Sequence, residues 1–183
     1  MTSKTLYSVS MSLDGFIAGR GGDMSWLSAF AGPEHDPTVD VLIRETGSLL
    51  VGHRTFTGDD PNKGGEGEGE AFGGGWDGPQ FVLTHRTYVE DVPGITFVDD
   101  LGRALDLARA AAGGRYVSVL GADIARQLIA RGQLDEVLTF IVPIMLGDGV
   151  RLFDAPGSPP VRLERTQVTD APMSTNLWFR VVR

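Results

Sequence analysis

Short apolar segments of strand length alternate with segments of helix length along most of this 183-residue chain. Six segments are rich in β-forming residues, which predicts strands over 5–11, 48–51, 80–84, 95–98, 116–120 and 134–142. Between them, the spacing of apolar residues predicts helices over 38–46, 101–112 and 123–131. Because helical crossovers join parallel strands that are buried on both faces, this alternation predicts an α/β domain with one central sheet.

Proline and glycine mark the ends of the predicted helices, and a different pattern closes the chain. Pro37 precedes the first helix and Gly47 follows it, while Gly113 and Gly132 follow the other two. The segment 161–183 reads as two strands around a turn, which predicts an antiparallel hairpin. The expected fold is therefore a mixed, mostly parallel sheet flanked by helices, with a hairpin at its carboxyl terminus.

Composition excludes several classes of function. The net charge of −8 makes nucleic acid and anionic membranes poor partners, because like charges repel. The absence of cysteine excludes disulfides, thiolate zinc sites and cysteine nucleophiles, and the three histidines lack metal-ligand spacing, so no metal site is expected. Since the chain shows neither a signal-peptide core nor an apolar run of spanning length, a cytoplasmic protein is expected.

Acidic residues and glycine are concentrated in one segment of an otherwise near-neutral chain. Residues 58–78 hold nine glycines and carry six acidic residues against the single base Lys63. This composition predicts a flexible loop over 62–75, at the rim of a cleft within a single domain of residues 1–183. Because five of the eight excess charges lie there, the acidity of the whole chain does not exclude a phosphorylated small molecule as ligand.

Four loops follow predicted strands, at the edge where open α/β sheets bind their ligands. The first contains Ser12-Leu13-Asp14-Gly15, which suits either a tight turn or a ligand contact through Asp14. The second and third carry similar cationic and hydroxyl side chains, Gly52-His53-Arg54-Thr55 and Thr84-His85-Arg86-Thr87. These residue types suit phosphate binding, although solvated helix starts would show them as well.

The fourth loop lies between a predicted strand and helix, at Leu120-Gly121-Ala122-Asp123. Free backbone N–H groups at a helix start can hold a pyrophosphate, while the alternative is that Asp123 caps its own helix. Together the four loops predict a site for a phosphorylated small molecule, most simply a nucleotide.

Five motifs in order resemble those of the dihydrofolate-reductase-like superfamily. The closer resemblance is to the reductase domain of bifunctional riboflavin-biosynthesis deaminase-reductases and to related stand-alone bacterial proteins. The resemblance covers nearly the whole chain and rests on residues 12–18, 51–56, 58–61, 121–136 and 143–153. It implies an NADPH-dependent reductase that transfers a hydride to a pterin-like or pyrimidine-like heterocycle, commonly as a homodimer.

The resemblance also implies roles for individual residues. It places Ala18 and Trp26 near the nicotinamide. The remaining cofactor contacts would be Gly52, His53, Arg54 and Thr55 at the phosphates, Thr84 and Arg86 at the adenosine end, and Gly121, Ala122, Asp123 and Ile124 at the pyrophosphate. Acidic residues are the candidates near the substrate, with Asp14 as the expected catalytic group: Asp14, Glu34, Asp59 and Asp60.

Two positions depart from the family pattern. Leu120 stands where many members have glycine, and a cis Leu–Gly bond would cost about 3 kcal/mol, so a trans or rearranged loop is expected. Val119 stands where riboflavin reductases commonly carry a substrate-binding glutamate, which argues against the ribosylaminopyrimidine as substrate. These departures leave an alternative open, namely a nucleotide-binding or oligomeric scaffold that has kept the fold without the chemistry.

Overall fold

The structure is a computed structural model that describes residues 2–30, 36–64, 67–86, 88 and 92–183. Its strands are β1 (Thr5–Ser12), β2 (Phe16–Ala18), β3 (Thr46–Gly52), β4 (Gln80–Leu83), β5 (Ile95–Val98), β6 (Tyr116–Leu120), β7 (Glu136–Val142), β8 (Val150–Arg151), β9 (Leu163–Ala171) and β10 (Ser174–Val181). Its α-helices are α1 (Pro37–Glu45), α2 (His53–Phe56), α3 (Leu101–Ala112) and α4 (Ala122–Ala130). Every strand and helix predicted from the alternating pattern is present, with ends within two residues of those expected.

One sheet organises the molecule, in the order β5-β4-β3-β6-β1-β7-β10-β9. Neighbouring strands from β5 to β7 run parallel, whereas β10 is antiparallel to both β7 and β9. This mixed, mostly parallel sheet with an antiparallel hairpin confirms the predicted fold class. None of the helices in the described part of the chain is long and apolar enough to cross a membrane.

Local sequence signals explain where the longer helices begin and end. Asp36 accepts a hydrogen bond from the backbone N–H of Thr38 at the start of α1, and Asp100 does the same for Arg103 in α3. Helix α3 ends at Gly113, whose φ of +61° is a left-handed conformation that glycine adopts readily.

Gly47 is an exception, because the prediction that it ends α1 is wrong. The helix already ends at Glu45, and Gly47 lies inside β3, which begins at Thr46. A Cβ atom on Gly47 would lie 2.2 Å from the carbonyl oxygen of Ala112, at the end of α3. Glycine is needed here because a distant helix approaches the strand closely, which local spacing does not reveal.

A second, two-stranded sheet formed by β2 and β8 was not predicted, because both strands are too short to show a periodic pattern. The guanidinium of Arg151 lies over the ring of Phe16, 4.6 Å from its centroid. Gly149 permits the pairing, since a Cβ atom there would lie 2.0 Å from the carbonyl oxygen of Ala18. This small sheet joins the loop after β1 to the loop after β7.

The core lies on both faces of the main sheet. Helices α3 and α4 pack on one face, here called the α3/α4 face, against residues that include Tyr7, Leu50 and Val119. Helix α1 covers part of the other face, the α1 face, where Leu42 packs with Leu6, Leu138 and Trp178. Phe72 and Trp76, from the glycine-rich acidic segment, also pack on the α1 face.

Candidate functional site

The loops that follow β1, β3, β4, β6 and β7 lie at one edge of the main sheet, because these strands are mutually parallel. Strand β6 is inserted between β3 and β1. The loop after β6 therefore lies between the loops after β3 and β1, at a change in strand order where α/β sheets bind ligands.

Two predicted phosphate-binding loops meet at Gly121. This residue has φ of +112°, and a Cβ atom on it would lie 2.8 Å from Oγ1 of Thr55 and 3.8 Å from the backbone nitrogen of Gly52. The peptide bond between Leu120 and Gly121 is trans, as expected. Glycine thus allows the loop after β3 to lie directly against the start of α4.

The start of α4 carries no side-chain cap. Gly121 occupies the cap position, so the backbone N–H groups of the first turn have no side-chain acceptor. The alternative that Asp123 caps this helix is wrong, because its carboxylate accepts hydrogen bonds from Arg126 and Gln127. The hydrogen bond from Arg126 lowers the pKa of Asp123, and the charge of Arg54 contributes to the same effect. A negative charge therefore stands in the first turn, close to Arg54.

A hydrogen bond joins the loops after β3 and β4. The Nε2 atom of His53 lies 2.8 Å from the hydroxyl oxygen of Tyr88, and the Tyr88 ring stacks on Phe97 at a centroid distance of 3.8 Å. The backbone N–H of Arg86 donates to Oγ1 of Thr84 at 3.0 Å, which turns the chain after β4. Arg54 and Arg86 are both exposed. Two exposed cations and an imidazole are thus carried by the neighbouring loops after β3 and β4.

Asp14 joins the loop after β1 to the loop after β7. Its carboxylate accepts hydrogen bonds from the Ser12 hydroxyl at 2.6 Å and from the backbone N–H groups of Leu146 at 3.0 Å and Gly147 at 2.7 Å. The Ser12 hydroxyl has the largest effect in lowering the pKa of Asp14 to about 2, and the two N–H groups add to it. This carboxylate is ionised at neutral pH, so it holds a loop and has no proton to donate. The catalytic role expected for Asp14 stays a prediction.

Asp59 and Asp60 have separate structural tasks in the acidic segment. Oδ2 of Asp59 accepts a hydrogen bond from the backbone N–H of Met24 at 3.1 Å, two residues before Trp26. Asp60 accepts from the N–H groups of Gly69 and Asn62, which lower its pKa. Asp59 therefore brings the acidic segment against the loop that carries Trp26, while Asp60 folds the glycine-rich turn onto itself.

The remaining predicted residues differ in how well the structure places them. Ala18 is buried beneath Gly149 in the small sheet. The indole N–H of Trp26 is buried without a hydrogen-bond partner within the described residues. Glu34 lies outside the described residues, as do two residues of the predicted flexible loop, 65–66, and the flexibility of that loop stays a prediction.

A pocket of about 380 Å³ lies at the opposite edge of the sheet, where β7 begins. Its buried carboxylate, Glu136, accepts hydrogen bonds from Lys4 at 2.9 Å, Tyr116 at 2.9 Å and Trp178 at 2.7 Å. Because three protein donors already bind this carboxylate, we assign it a structural role in stabilising the fold. The loops predicted to bind a phosphorylated ligand lie at the other edge.

A comparison with known protein families identifies the family of this chain. The family model described as RibD C-terminal domain matches residues 4–174. The chain belongs to the RibD C-terminal domain family. Family membership confirms the resemblance that the five motifs carried.

Known proteins are similar to this RibD C-terminal domain protein at low sequence identity. YwjB from Bacillus subtilis (strain 168) is 24% identical over 160 residues, which cover 84% of each chain. A putative riboflavin biosynthesis protein from Shewanella sp. PV-4 matches with a TM-score of 0.72 and 22% identity over the full length of both chains. Dihydrofolate reductase from Enterococcus faecalis matches with a TM-score of 0.57 and 15% identity, again over both full lengths. The fold is therefore dihydrofolate-reductase-like.

Sequence reasoning missed two contributors to the site of this RibD C-terminal domain protein. Tyr88 belongs to none of the recognised motifs, and its contact with His53 of another loop becomes visible only in the structure. The N–H groups of Leu146 and Gly147 also went unrecognised as partners of Asp14, although the motif over 143–149 marks that loop. Gly147 in that motif was the feature from which this contact with the backbone could have been predicted.

Proposed function

We propose that this protein is an NADPH-dependent reductase that transfers a hydride to a pterin-like or pyrimidine-like heterocycle. Membership of the RibD C-terminal domain family supports an oxidoreductase. The observation that carries the proposal is the contact at Gly121, where the uncapped start of α4 lies against Thr55 and Gly52. A dinucleotide phosphate requires free N–H groups, cations and glycine residues that let it approach the backbone closely. The loops at this edge of the sheet offer all three.

The residues present fit NADPH. Gly121, Ala122, Asp123 and Ile124 would hold the pyrophosphate through the backbone at the start of α4. The other phosphate contacts would come from the loop after β3 (Gly52, His53, Arg54 and Thr55), and the adenosine end would lie against Thr84 and Arg86. Ala18 and Trp26 would flank the nicotinamide, which supplies the hydride when NADPH is bound.

The substrate would lie against the loops that Asp14 joins. Leu13 and Met145, on either side of this junction, expose large apolar side chains that suit the flat face of a heterocycle. Asp14 holds these loops in position, while Asp59, Asp60 and Glu34 remain the other acidic candidates near the substrate. Because the pKa of Asp14 is about 2, we assign the proton that accompanies hydride transfer to bound water.

A non-catalytic nucleotide-binding scaffold is the second candidate, and one observation favours it. Val119, at the position where the resemblance leads one to expect a substrate-binding glutamate, is buried in the core of the α3/α4 face and offers a substrate no polar contact. A scaffold would retain binding of some nucleotide without turnover.

Titration with NADPH and NADH, followed by tryptophan fluorescence, tests the proposal. We expect saturable binding of NADPH that Arg54→Ala or Arg86→Ala weakens, while Arg131→Ala, at the exposed end of α4, serves as the control. Addition of dihydrofolate or a pyrimidine precursor should then oxidise the bound NADPH. If neither cofactor binds at millimolar concentration, the proposal is wrong, and binding without turnover of any such heterocycle favours the scaffold.

A further inference from the structure

Charge is divided between two groups of loops at the edge of the sheet where the proposed reductase would bind its ligands. The loops after β3 and β4 carry Arg54 and Arg86, which are exposed and form no ion pair within the described residues. Free guanidinium groups are suited to phosphate oxygens. The loops proposed to receive NADPH therefore offer positive charge to the phosphates of the cofactor.

The loops on the proposed substrate side belong to three segments that contact one another, here called the substrate-side segments: residues 13–26, 58–63 and 144–151. The guanidinium of Arg20 donates hydrogen bonds to Asp148 through Nε at 3.0 Å and Nη2 at 2.7 Å, which joins the first segment to the third. The backbone N–H of Met24 donates to Asp59, which joins the first segment to the second. The charges of all three segments therefore act on the same region, beside Trp26.

Carboxylates outnumber cations in the substrate-side segments, which hold five aspartates against three basic residues. Hydrogen bonds from hydroxyl or backbone N–H groups lower the pKa of Asp14, Asp23 and Asp60, so these three carboxylates are ionised at neutral pH. None of the three forms an ion pair within the described residues. Their negative charge is therefore offset only by neutral donors.

Each basic side chain of the substrate-side segments already has a partner. Arg20 is paired with Asp148, Nζ of Lys63 lies 3.7 Å from Asp59, and the guanidinium of Arg151 lies over an aromatic ring. An anionic group bound here would find no unengaged cation in these segments and would face the three unpaired carboxylates. Both the repulsion and the loss of hydration without a compensating partner oppose its binding.

The uncharged surface of the same segments is apolar. The side chain of Leu13 is 66% exposed and that of Met145 is 73% exposed. The backbone N–H of Leu13 donates to the carbonyl oxygen of Ile144 at 2.8 Å, which keeps these two side chains on neighbouring loops. Large apolar side chains gain free energy by covering a flat ring and offer nothing to a phosphate or a carboxylate.

We propose that the substrate is a heterocycle that carries neither a phosphate nor a carboxylate group. The substrate-side segments select against anions, while the loops after β3 and β4 accept the phosphates of the cofactor. Charge thereby keeps the two ligands in their own parts of one cleft. The inference rests on the proposed function, since it specifies the class of heterocycle that the reductase would take.

Equilibrium binding of two matched pterins tests the inference without requiring turnover. Pterin and pterin-6-carboxylate share one ring system and differ by a single negative charge at neutral pH. In calorimetric titrations of the full-length protein at low salt, we expect the dissociation constant of the carboxylate to be at least about tenfold higher. Added sodium chloride should narrow the difference, because it screens the repulsion.

A charge variant tests whether the substrate-side segments cause this preference. Asp148→Asn removes one carboxylate and leaves Arg20 without its ion-pair partner, so the ratio of the two dissociation constants should fall about threefold or more. The ratio cancels any loss that the two pterins share. Asp106→Asn, at an exposed position of α3, is the matched control and should leave the ratio unchanged, and circular dichroism should show both variants folded.

Equal affinity for the two pterins, tighter binding of the carboxylate, or binding of neither would each overturn the inference. NADPH oxidation reports on the proposed function separately, with uncharged dihydrobiopterin and doubly carboxylated dihydrofolate as the two substrates. We expect kcat/KM to be at least about tenfold higher for dihydrobiopterin. Equal turnover of both would support the reductase and contradict the inference, whereas selective pterin binding without any oxidation would support the charge selection and contradict the reductase.

Discussion

The hydroxyl of Tyr88 lies 2.8 Å from Nε2 of His53, while the Tyr88 ring is stacked parallel to Phe97. The stack holds the tyrosine in place, and the hydrogen bond fixes the imidazole at the start of α2, one residue before Arg54. The loops after β3 and β4, which are separate in sequence, are thereby held together. The hydrogen bond orients the imidazole of His53, which in the proposed reductase would contact a cofactor phosphate.

Replacing Tyr88 by phenylalanine keeps the ring stack and removes only the hydroxyl. We expect the NADPH dissociation constant to rise about fivefold, the equivalent of one lost hydrogen bond of roughly 1 kcal/mol. NADH affinity should stay constant if His53 faces the 2′-phosphate that NADH lacks. Fluorescence titration with both cofactors measures the difference, and an equal loss for both would place His53 elsewhere.

Substitution of Gly121 by alanine tests the junction between the two phosphate-binding loops. The added Cβ atom meets Oγ1 of Thr55 at 2.8 Å, and φ of +112° strains any other residue, so we expect a loss of about 1–3 kcal/mol in the free energy of unfolding. NADPH binding should fall with it. Gly113→Ala is the matched control, because it also has positive φ but meets no atom within 4 Å and lies far from the loops. Urea unfolding and cofactor titration of both variants distinguish strain alone from loss of the site.

Asp14→Asn should weaken the connection between the loops after β1 and β7. An asparagine puts an NH₂ group toward one of the N–H donors of Leu146 and Gly147, which leaves that donor unpaired. Because its folded-state pKa of about 2 lies below the unfolded value, Asp14 stabilises the fold above pH of about 4, and this contribution is lost as the pH falls toward 2. The stability difference between wild type and variant should therefore shrink in acid. Asp154→Asn, at an exposed position, provides the comparison.

Glu136→Ala should be strongly destabilising, since it leaves the buried indole N–H of Trp178 without its acceptor and Lys4 and Tyr116 without theirs. We expect a loss of about 3 kcal/mol in the free energy of unfolding. Glu164→Ala removes an exposed carboxylate paired with Arg180 at the same edge and should cost less than about 1 kcal/mol. Similar losses for the two variants, measured by urea unfolding, would contradict the assignment of Glu136 as a buried hydrogen-bond centre.

Several residues show where prediction from the sequence succeeded and where it failed. The helix over Leu101–Ala112 and the strand over Tyr116–Leu120 were predicted to the residue, because apolar spacing and capping residues are local properties. Gly47 was misjudged because the atom that requires glycine belongs to Ala112, which is distant in sequence. The sequence left two roles open for Asp123, a helix cap and a ligand contact. The hydrogen bonds from Arg126 and Gln127 to its carboxylate exclude the cap.

The sequence by itself determined the α/β class and the family to which the chain belongs. These properties follow from periodicity, turn residues and short motifs, each of which is written within a few tens of residues. Tertiary structure alone decided that β6 lies between β3 and β1, that Gly121 faces Thr55, and that Asp14 binds Gly147. Strand order and loop contacts depend on packing between residues far apart in the chain, which no local preference encodes.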